Sequence, residues 1–194
     1  MTTVVEEWFP VPIYCTNDTI SNEENQVLIN RVLEIHNSTS NGADGWFCNT
    51  YNTLGSYELQ DDLVFNSILN VVDQHMIEFS KIWGSDVVPH CSQSWVNVSG
   101  EGGYQEFHTH PGAVYSAVYY LSCPPGSGKI IFKNPMCPDM LPPPNLEQTK
   151  FSREHCMYEP MVGNLIIFRS FMQHMVELGT NKEPRMTLAF NYGF

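Results

Sequence analysis

Phe107-His108-Thr109-His110-Pro111-Gly112 is the stretch of this 194-residue chain from which the fold can be read outward. Side chains alternate between the two faces of an extended strand, so histidines one residue apart project from the same face. Pro111-Gly112 then predicts a turn, and the β-branched and aromatic run 114–121 predicts the next strand. Two imidazoles at the bent end of a strand suit a metal ion, although a histidine pair alone could equally be an ordinary surface or core feature.

Short strands joined by Gly- and Pro-containing turns are predicted on both sides of this stretch. Upstream, residues 92–98 alternate, with Gln93, Trp95 and Asn97 on one face. Downstream, we expect strands at 114–122, 129–133, 155–158, 165–168, 174–178 and 185–192, with no helix of any length between them. Such a series indicates an antiparallel sandwich or barrel, closed enough to protect its edges.

The first ninety residues have a different pattern. Prolines at alternate positions make residues 8–14 extended. A capping box at Ser21–Glu24 begins a helix that ends near His36, residues 37–54 read as loop, and a second helix spans about 61–83 with Leu63 on its buried side. We expect one domain over 1–194, in which 1–90 supply a strand and supporting helices and 91–194 the β-rich catalytic core.

Composition narrows the partners of the protein. The formal net charge of −12 disfavours nonspecific binding to nucleic acid or to anionic membranes. No stretch reaches the roughly twenty apolar residues of a membrane span, and the N-terminus lacks a signal-peptide pattern, so we expect a cytoplasmic protein. Residues 129–194 hold seven of the nine Lys and Arg against six acidic residues, which favours this third for a small anionic ligand.

A third histidine and an arginine complete the pattern that carries chemistry. His174 lies on a later predicted strand, and Arg185 follows it by eleven residues on the next strand. Imidazole is a good ligand for Fe(II), and three protein ligands on one side of the ion leave positions open for other molecules. A guanidinium can bind a carboxylate in bidentate geometry, with Thr187 on the same face two residues later.

Together these residues resemble the Fe(II)/2-oxoglutarate-dependent oxygenases. The segment from about Trp95 to Tyr192 is similar to their double-stranded β-helix, a cupin-like jelly roll, and His108-Thr109-His110 with His174 resembles their metal motif. Overall the chain is similar to a group of such enzymes from marine bacteria and their phages. The resemblance implies a mainly β fold, Fe(II) and 2-oxoglutarate as cofactors, and the host cytoplasm as location if a phage encodes the protein.

The resemblance also implies which residues bind the cosubstrate. Arg185-Met186-Thr187 resembles the Arg-x-Ser/Thr pair that holds the distal carboxylate of 2-oxoglutarate. The run 118–122 resembles a prolyl hydroxylase motif in which Tyr120 stands at the tyrosine that contacts the 2-oxoglutarate tail. Further candidates for the substrate pocket or for the other carboxylate, each equally well explained as a core or sheet residue, are Asn97, Trp95, Tyr104 and Asn191.

His110 departs from the family, which usually carries a carboxylate at this position. Three interpretations are open: His110 ligates and gives a three-histidine site, it turns away and leaves a coordination position open, or a nearby acid such as Glu106 completes the set. We favour ligation by His108, His110 and His174, because alternation keeps the first two on one face. Three neutral ligands would leave more positive charge on iron and strengthen binding of 2-oxoglutarate.

The leading hypothesis is a dioxygenase that uses Fe(II), 2-oxoglutarate and dioxygen to hydroxylate an unidentified small-molecule or peptidyl substrate, releasing succinate and CO2. Two alternatives stay open: a cupin-type three-histidine metalloenzyme that needs no 2-oxo acid, and a noncatalytic binding module that keeps the fold. The Pro-rich loop 134–151 is long enough for a substrate lid, with disorder as the competing interpretation. A homodimer is compatible with the sequence, which does not determine the oligomeric state.

Overall fold

A computed structural model describes residues 3–4, 9–17, 19–42, 47–136, 147 and 149–194. In chain order the helices and strands of these residues are β1 (Tyr14–Thr16), α1 (Asn22–Ser38), β2 (Tyr51–Asn52), α2 (Asn66–Ile82), β3 (His90–Ser99), β4 (Gln105–His108), β5 (Tyr115–Ser122), β6 (Ile130–Lys133), β7 (His155–Tyr158), β8 (Leu165–Arg169), β9 (His174–Val176) and β10 (Arg185–Gly193). No helix of the described ranges is long and apolar enough to cross a membrane.

The strands form two antiparallel sheets. The larger has six strands in the order β1-β8-β5-β10-β3-β2, and the smaller has four in the order β4-β9-β6-β7. Tyr120 and Phe168 of the larger sheet share a buried cluster with Ile130 and Phe132 of the smaller, so the two sheets pack against each other. The prediction of a mainly β fold with supporting helices is confirmed.

Alternation along the central strands gives the larger sheet two different faces. On β10, residues Met186, Leu188, Phe190 and Tyr192 belong to the main hydrophobic core. Apolar side chains of both helices, such as Val32 of α1 and Val72 of α2, belong to the same core, so the helices cover this face. The intervening residues Arg185, Thr187, Ala189 and Asn191 line a cavity on the opposite face, towards the smaller sheet.

Two predictions for the N-terminal third are wrong. The second helix begins at Asn66 rather than near residue 61, because two short 3-10 turns precede it. The Asp62 side chain accepts a hydrogen bond from the Val64 N–H at 3.0 Å and so starts the second turn separately. Leu63 is consequently 82% exposed instead of buried. The segment predicted as loop contains β2, which pairs with β3.

Candidate active site

Three histidines from separate segments meet at one end of this cavity. His108 ends β4 and His174 begins β9, and the two residues are direct partners across those strands. His110 lies beyond the end of β4, so the prediction that one strand carries both His108 and His110 is wrong. One ring nitrogen from each of the three histidines nevertheless lies within 4.8 Å of the others.

A turn, rather than strand alternation, orients His110. Its backbone N–H donates to the Ser170 carbonyl at 3.0 Å, and its own carbonyl accepts from the Ala113 N–H at 3.3 Å. These bonds stack the imidazole of His110 on that of His108, with ring centroids 5.3 Å apart and planes at 14°. His110 therefore faces the other two histidines, and the structure does not support the interpretation in which it turns away.

Each imidazole has its Nδ1 next to an oxygen. The partner is the Glu106 carbonyl for His108 at 2.7 Å, the Asn191 Oδ1 for His110 at 2.6 Å and the Met172 carbonyl for His174 at 2.9 Å. Carbonyl oxygens only accept hydrogen bonds, so Nδ1 carries the proton in all three rings and Nε2 keeps its lone pair. Hydrogen bonds of this kind orient histidines that bind metals.

Burial keeps the three imidazoles neutral. It lowers the pKa of His108, lowers that of His110 to about 4, and lowers that of His174 well below its ordinary value, where the neighbouring histidines act in the same direction. Neutral imidazole is the form that binds a metal ion. The cluster is therefore ready for a cation at neutral pH without first losing protons.

Glu106 does not join the histidines. Its Oε1 accepts a hydrogen bond from the Phe47 N–H at 3.1 Å, and its Oε2 is buried without a partner. Among the residues that the structure describes, the candidate metal group around His108 consists of histidines alone. The interpretation in which Glu106 completes the ligand set therefore finds no support.

The same cavity is also lined by a buried cation without a counterion among the described residues. Arg185 is 5% exposed, its Nε has no hydrogen-bond partner, and no carboxylate of the described residues forms an ion pair with it. Its guanidinium carbon lies 5.3 Å from the ring centroid of Tyr120. The guanidinium acts on the Tyr120 hydroxyl through its charge and a weak hydrogen bond, but this buried hydroxyl has no partner at good hydrogen-bond geometry among the described residues. Leaving such groups unpaired costs free energy, so this part of the cavity suits an anion that accepts hydrogen bonds.

Further polar side chains lie in the same cavity. Thr187 Oγ1 accepts from Asn97 Nδ2 at 3.5 Å, and Asn97 Oδ1 accepts from Gln105 Nε2 at 3.3 Å. Burial raises the pKa of Tyr120 to about 12, although the nearby charge of Arg185 acts against the increase. The Tyr120 hydroxyl is therefore protonated at neutral pH and available as a donor. The cavity has a volume of about 210 Å³.

The remaining candidates from the sequence divide between this cavity and the surface. Trp95 lines the cavity, with its ring centroid 5.5 Å from that of His110. Tyr104 does not line it, and its hydroxyl donates to the Phe47 carbonyl at 3.1 Å. Asn191 also lines the cavity, where its Oδ1 lies 2.6 Å from His110 Nδ1. Gln105 also lines the cavity and is not among the residues predicted from the sequence. Its polar side chain close to the histidine motif was the signal that could have identified it.

Comparisons with known proteins agree with this geometry. The model of a family described as "Putative 2OG-Fe(II) oxygenase" matches residues 93–191. That range includes the three histidines and Arg185, and it spans just over half of the chain. No curated protein matches by sequence.

Solved structures show the same fold at low sequence identity. A prolyl-4-hydroxylase from Pseudomonas putida is 12% identical with a TM-score of 0.67, covering 94% of this chain and 92% of its own. A viral collagen prolyl hydroxylase from Paramecium bursaria Chlorella virus-1, solved with 2OG, is 14% identical with a TM-score of 0.62, covering 93% and 94%. The alpha-ketoglutarate-dependent epimerase SnoN of nogalamycin biosynthesis is 12% identical with a TM-score of 0.71, covering 94% and 78%.

Proposed function

This chain belongs to the 2OG-Fe(II) oxygenase family, and from that premise we propose that it hydroxylates a substrate at the cavity between its two sheets. One observation carries the proposal: three neutral imidazoles and an unpaired buried guanidinium line the same cavity. The first group suits a divalent cation and the second suits a carboxylate. A 2-oxo diacid can bind both groups at once.

His108, His110 and His174 are the proposed iron ligands, each through Nε2. Their Nδ1 hydrogen bonds hold the rings in the required tautomer, and their burial favours the neutral form that an ion needs. Iron bound there, with 2-oxoglutarate and dioxygen, supplies the oxidising power of the reaction, and succinate and CO2 are released.

Arg185 is proposed to bind the distal carboxylate of 2-oxoglutarate. A bidentate ion pair would satisfy the Nε that now has no partner, and the protonated hydroxyl of Tyr120 would donate a further hydrogen bond. Thr187 and Asn97, which are hydrogen-bonded to each other, supply polar contacts beside them. The cavity of about 210 Å³ has room for about seven water molecules of ~30 Å³ each, a size that suits a small diacid.

The substrate is proposed to enter between Trp95 and the turn at Thr109 and Pro111, all of which line the cavity. Two of the similar structures are prolyl hydroxylases, which supports hydroxylation, whereas SnoN is an epimerase. The proposed substrate is a small or peptidyl molecule with an accessible C–H bond. We also propose that residues 1–194 form one domain, because α1, α2 and β10 share one core.

Anaerobic spectroscopy tests the cofactor assignment directly. The purified protein is mixed with Fe(II) and then titrated with 2-oxoglutarate, and we expect a metal-to-ligand charge-transfer band in the visible range. Exposure to air should then release succinate. Absence of both the band and succinate would count against the proposal.

The variant Arg185→Gln separates the proposed enzyme from a three-histidine metalloenzyme that needs no 2-oxo acid. We expect this variant to bind Fe(II) normally and to lose the charge-transfer band at 2-oxoglutarate concentrations that saturate the wild type. Arg169→Gln is the matched control, because Arg169 stacks on Trp83 and does not line the cavity. Activity that persists in Arg185→Gln without 2-oxoglutarate would favour the alternative.

A further inference from the structure

His110 differs from the other two histidines in what fixes its ring. The Nδ1 atoms of His108 and His174 bind backbone carbonyls, which can only accept. The Nδ1 of His110 binds the Asn191 side-chain amide at 2.6 Å, and an amide has both an accepting and a donating end. The proton position on His110 therefore depends on which end of Asn191 faces it.

A buried polar network holds the accepting end of Asn191 towards His110. Ser116 Oγ donates to Asn191 Oδ1 at 2.9 Å and lies 2.8 Å from Ser170 Oγ. On the other side, Asn191 Nδ2 donates to Gln93 Oε1 at 3.1 Å. Ser116, Ser170 and Asn191 are each at most 5% exposed, so water cannot easily replace these bonds.

Reversing this amide would remove a metal ligand. The NH2 group of Asn191 would then face Nδ1 of His110, which would have to accept with its lone pair. The ring proton would move to Nε2, and a protonated Nε2 cannot bind a metal ion. Asn191 thus decides whether His110 presents a lone pair or a proton to the cluster.

We propose that Asn191 is the positioning residue that selects the tautomer of His110 and thereby makes it a ligand. The inference rests on the proposed function, since it takes His110 to bind iron. Ser116 and Ser170 support the amide, and Gln93 accepts from its far end. The Nδ1 of His110 binds side chains, whereas the Nδ1 atoms of His108 and His174 bind backbone carbonyls, so the ligand role of His110 can be removed without changing any ligand.

Metal affinity of the full-length chain tests the assignment. Asn191→Leu is made together with Ser116→Ala, because the Ser116 hydroxyl also lies 3.0 Å from this Nδ1. The pair removes both acceptors, and compared with Ser116→Ala alone we expect Fe(II) or Ni(II) to bind about 10- to 100-fold more weakly by anaerobic calorimetry, the usual effect of removing such a hydrogen bond. Asn191→Asp keeps an acceptor at Nδ1 and should restore the affinity to near the wild-type value. Asn191→Ala removes the same acceptor if leucine prevents folding.

A buried amide elsewhere supplies the control. Asn25 on α1 donates to the Leu121 carbonyl at 3.0 Å and accepts from the Tyr119 hydroxyl at 3.2 Å, and it does not line the cavity. Asn25→Leu should lower the unfolding temperature and leave metal affinity unchanged. Equal losses of affinity in Asn25→Leu and in the Ser116→Ala/Asn191→Leu pair would mean that any buried amide matters through stability alone.

The tautomer itself is measurable without activity. In the metal-free full-length protein, long-range 1H–15N NMR should show the proton of His110 on Nδ1 in the wild type and in Asn191→Asp, and a shift towards Nε2 in the Ser116→Ala/Asn191→Leu pair. Unchanged affinity and tautomer in that pair would overturn the inference and leave the proposed function standing. A wild type that binds no metal would instead overturn the proposed function.

Discussion

The two faces of the six-stranded sheet differ in how their tyrosine hydroxyls are paired. On the face covered by the helices, the Tyr119 hydroxyl donates to Asn25 at 3.2 Å and the Tyr192 hydroxyl donates to Asp73 at 2.6 Å. On the face towards the cavity, the Tyr120 hydroxyl and the Arg185 Nε have no partner. The paired tyrosine hydroxyls therefore contribute stability, whereas the Tyr120 hydroxyl and the Arg185 Nε are kept for a ligand at a cost in stability.

The largest expected effect comes from the helix-covered face. Phe190 is fully buried there, so Phe190→Ala should lower the free energy of unfolding by about 3–5 kcal/mol. The KM for 2-oxoglutarate of the folded variant should stay near the wild-type value, because Phe190 does not line the cavity. Leu178→Ala is the control: this side chain is 62% exposed, and its loss should change stability by less than about 0.5 kcal/mol.

Arg185→Gln should weaken 2-oxoglutarate binding without lowering stability, which is the opposite of the effect expected for Phe190→Ala. The KM for 2-oxoglutarate should rise about 100-fold, since a buried hydrogen bond to a charged group contributes about 1.5–3 kcal/mol. Thermal unfolding of the ligand-free protein should occur at the wild-type temperature or above it, because the lost charge had no counterion. A clear fall in that temperature would show that Arg185 stabilises the fold and would break the contrast between the faces.

Alkaline pH should destabilise the protein through Tyr192 on the helix-covered face. Burial raises the pKa of Tyr192 well above its ordinary value, and the Asp73 carboxylate adds to the increase. Above pH 10 the unfolded chain loses this proton and the folded chain keeps it, so the free energy of unfolding falls as pH rises. The slope between pH 10 and 11 should be about 1 kcal/mol per pH unit smaller in Tyr192→Phe than in the wild type, because an unfolded tyrosine with a pKa of about 10 is only partly ionised over this range; equal slopes would contradict this.

The smallest expected effect, and the most closely matched pair of variants, comes from the adjacent residues Tyr119 and Tyr120. Tyr119→Phe leaves Asn25 Oδ1 without its donor and should cost about 1 kcal/mol of stability, measured by denaturant unfolding. Tyr120→Phe removes a hydroxyl that has no partner and should leave the stability of the ligand-free protein unchanged while weakening 2-oxoglutarate binding. Equal stability losses in the two variants would mean that the faces do not differ in this respect.

Much of the β-rich half could be predicted from residue patterns. The strands predicted at 155–158 and 165–168 agree with β7 and β8 to within a residue, because each is a short apolar run between turn signals. The division of β3 into two faces was also visible, since Gln93, Trp95 and Asn97 line the cavity while Val96 and Val98 belong to the main hydrophobic core. Alternation in the sequence therefore predicts the two faces of a strand when both faces of the sheet are covered.

Contacts between distant segments could not be predicted in the same way. The turn that directs His110 depends on a backbone bond to Ser170, sixty residues later. The acceptor for its ring is Asn191, which sequence reasoning could place near the pocket but not beside a particular histidine. The start of the second helix was predicted wrongly for a local reason, since the Asp62 cap interrupts an otherwise regular apolar pattern. The ligand and cosubstrate roles of the site residues remain proposals for the experiments above.

The position of β10 between β5 and β3 limits which insertions and deletions this protein can tolerate in evolution. Insertion or deletion of one residue between Thr187 and Asn191 would turn every later side chain to the opposite face, moving Asn191 towards the helices. Variation in length is therefore confined to the connections at the rim, such as the turn at Thr109 and Pro111. Sequence changes during evolution should therefore alter substrate specificity at the rim while the spacing between Arg185 and the histidines stays constant.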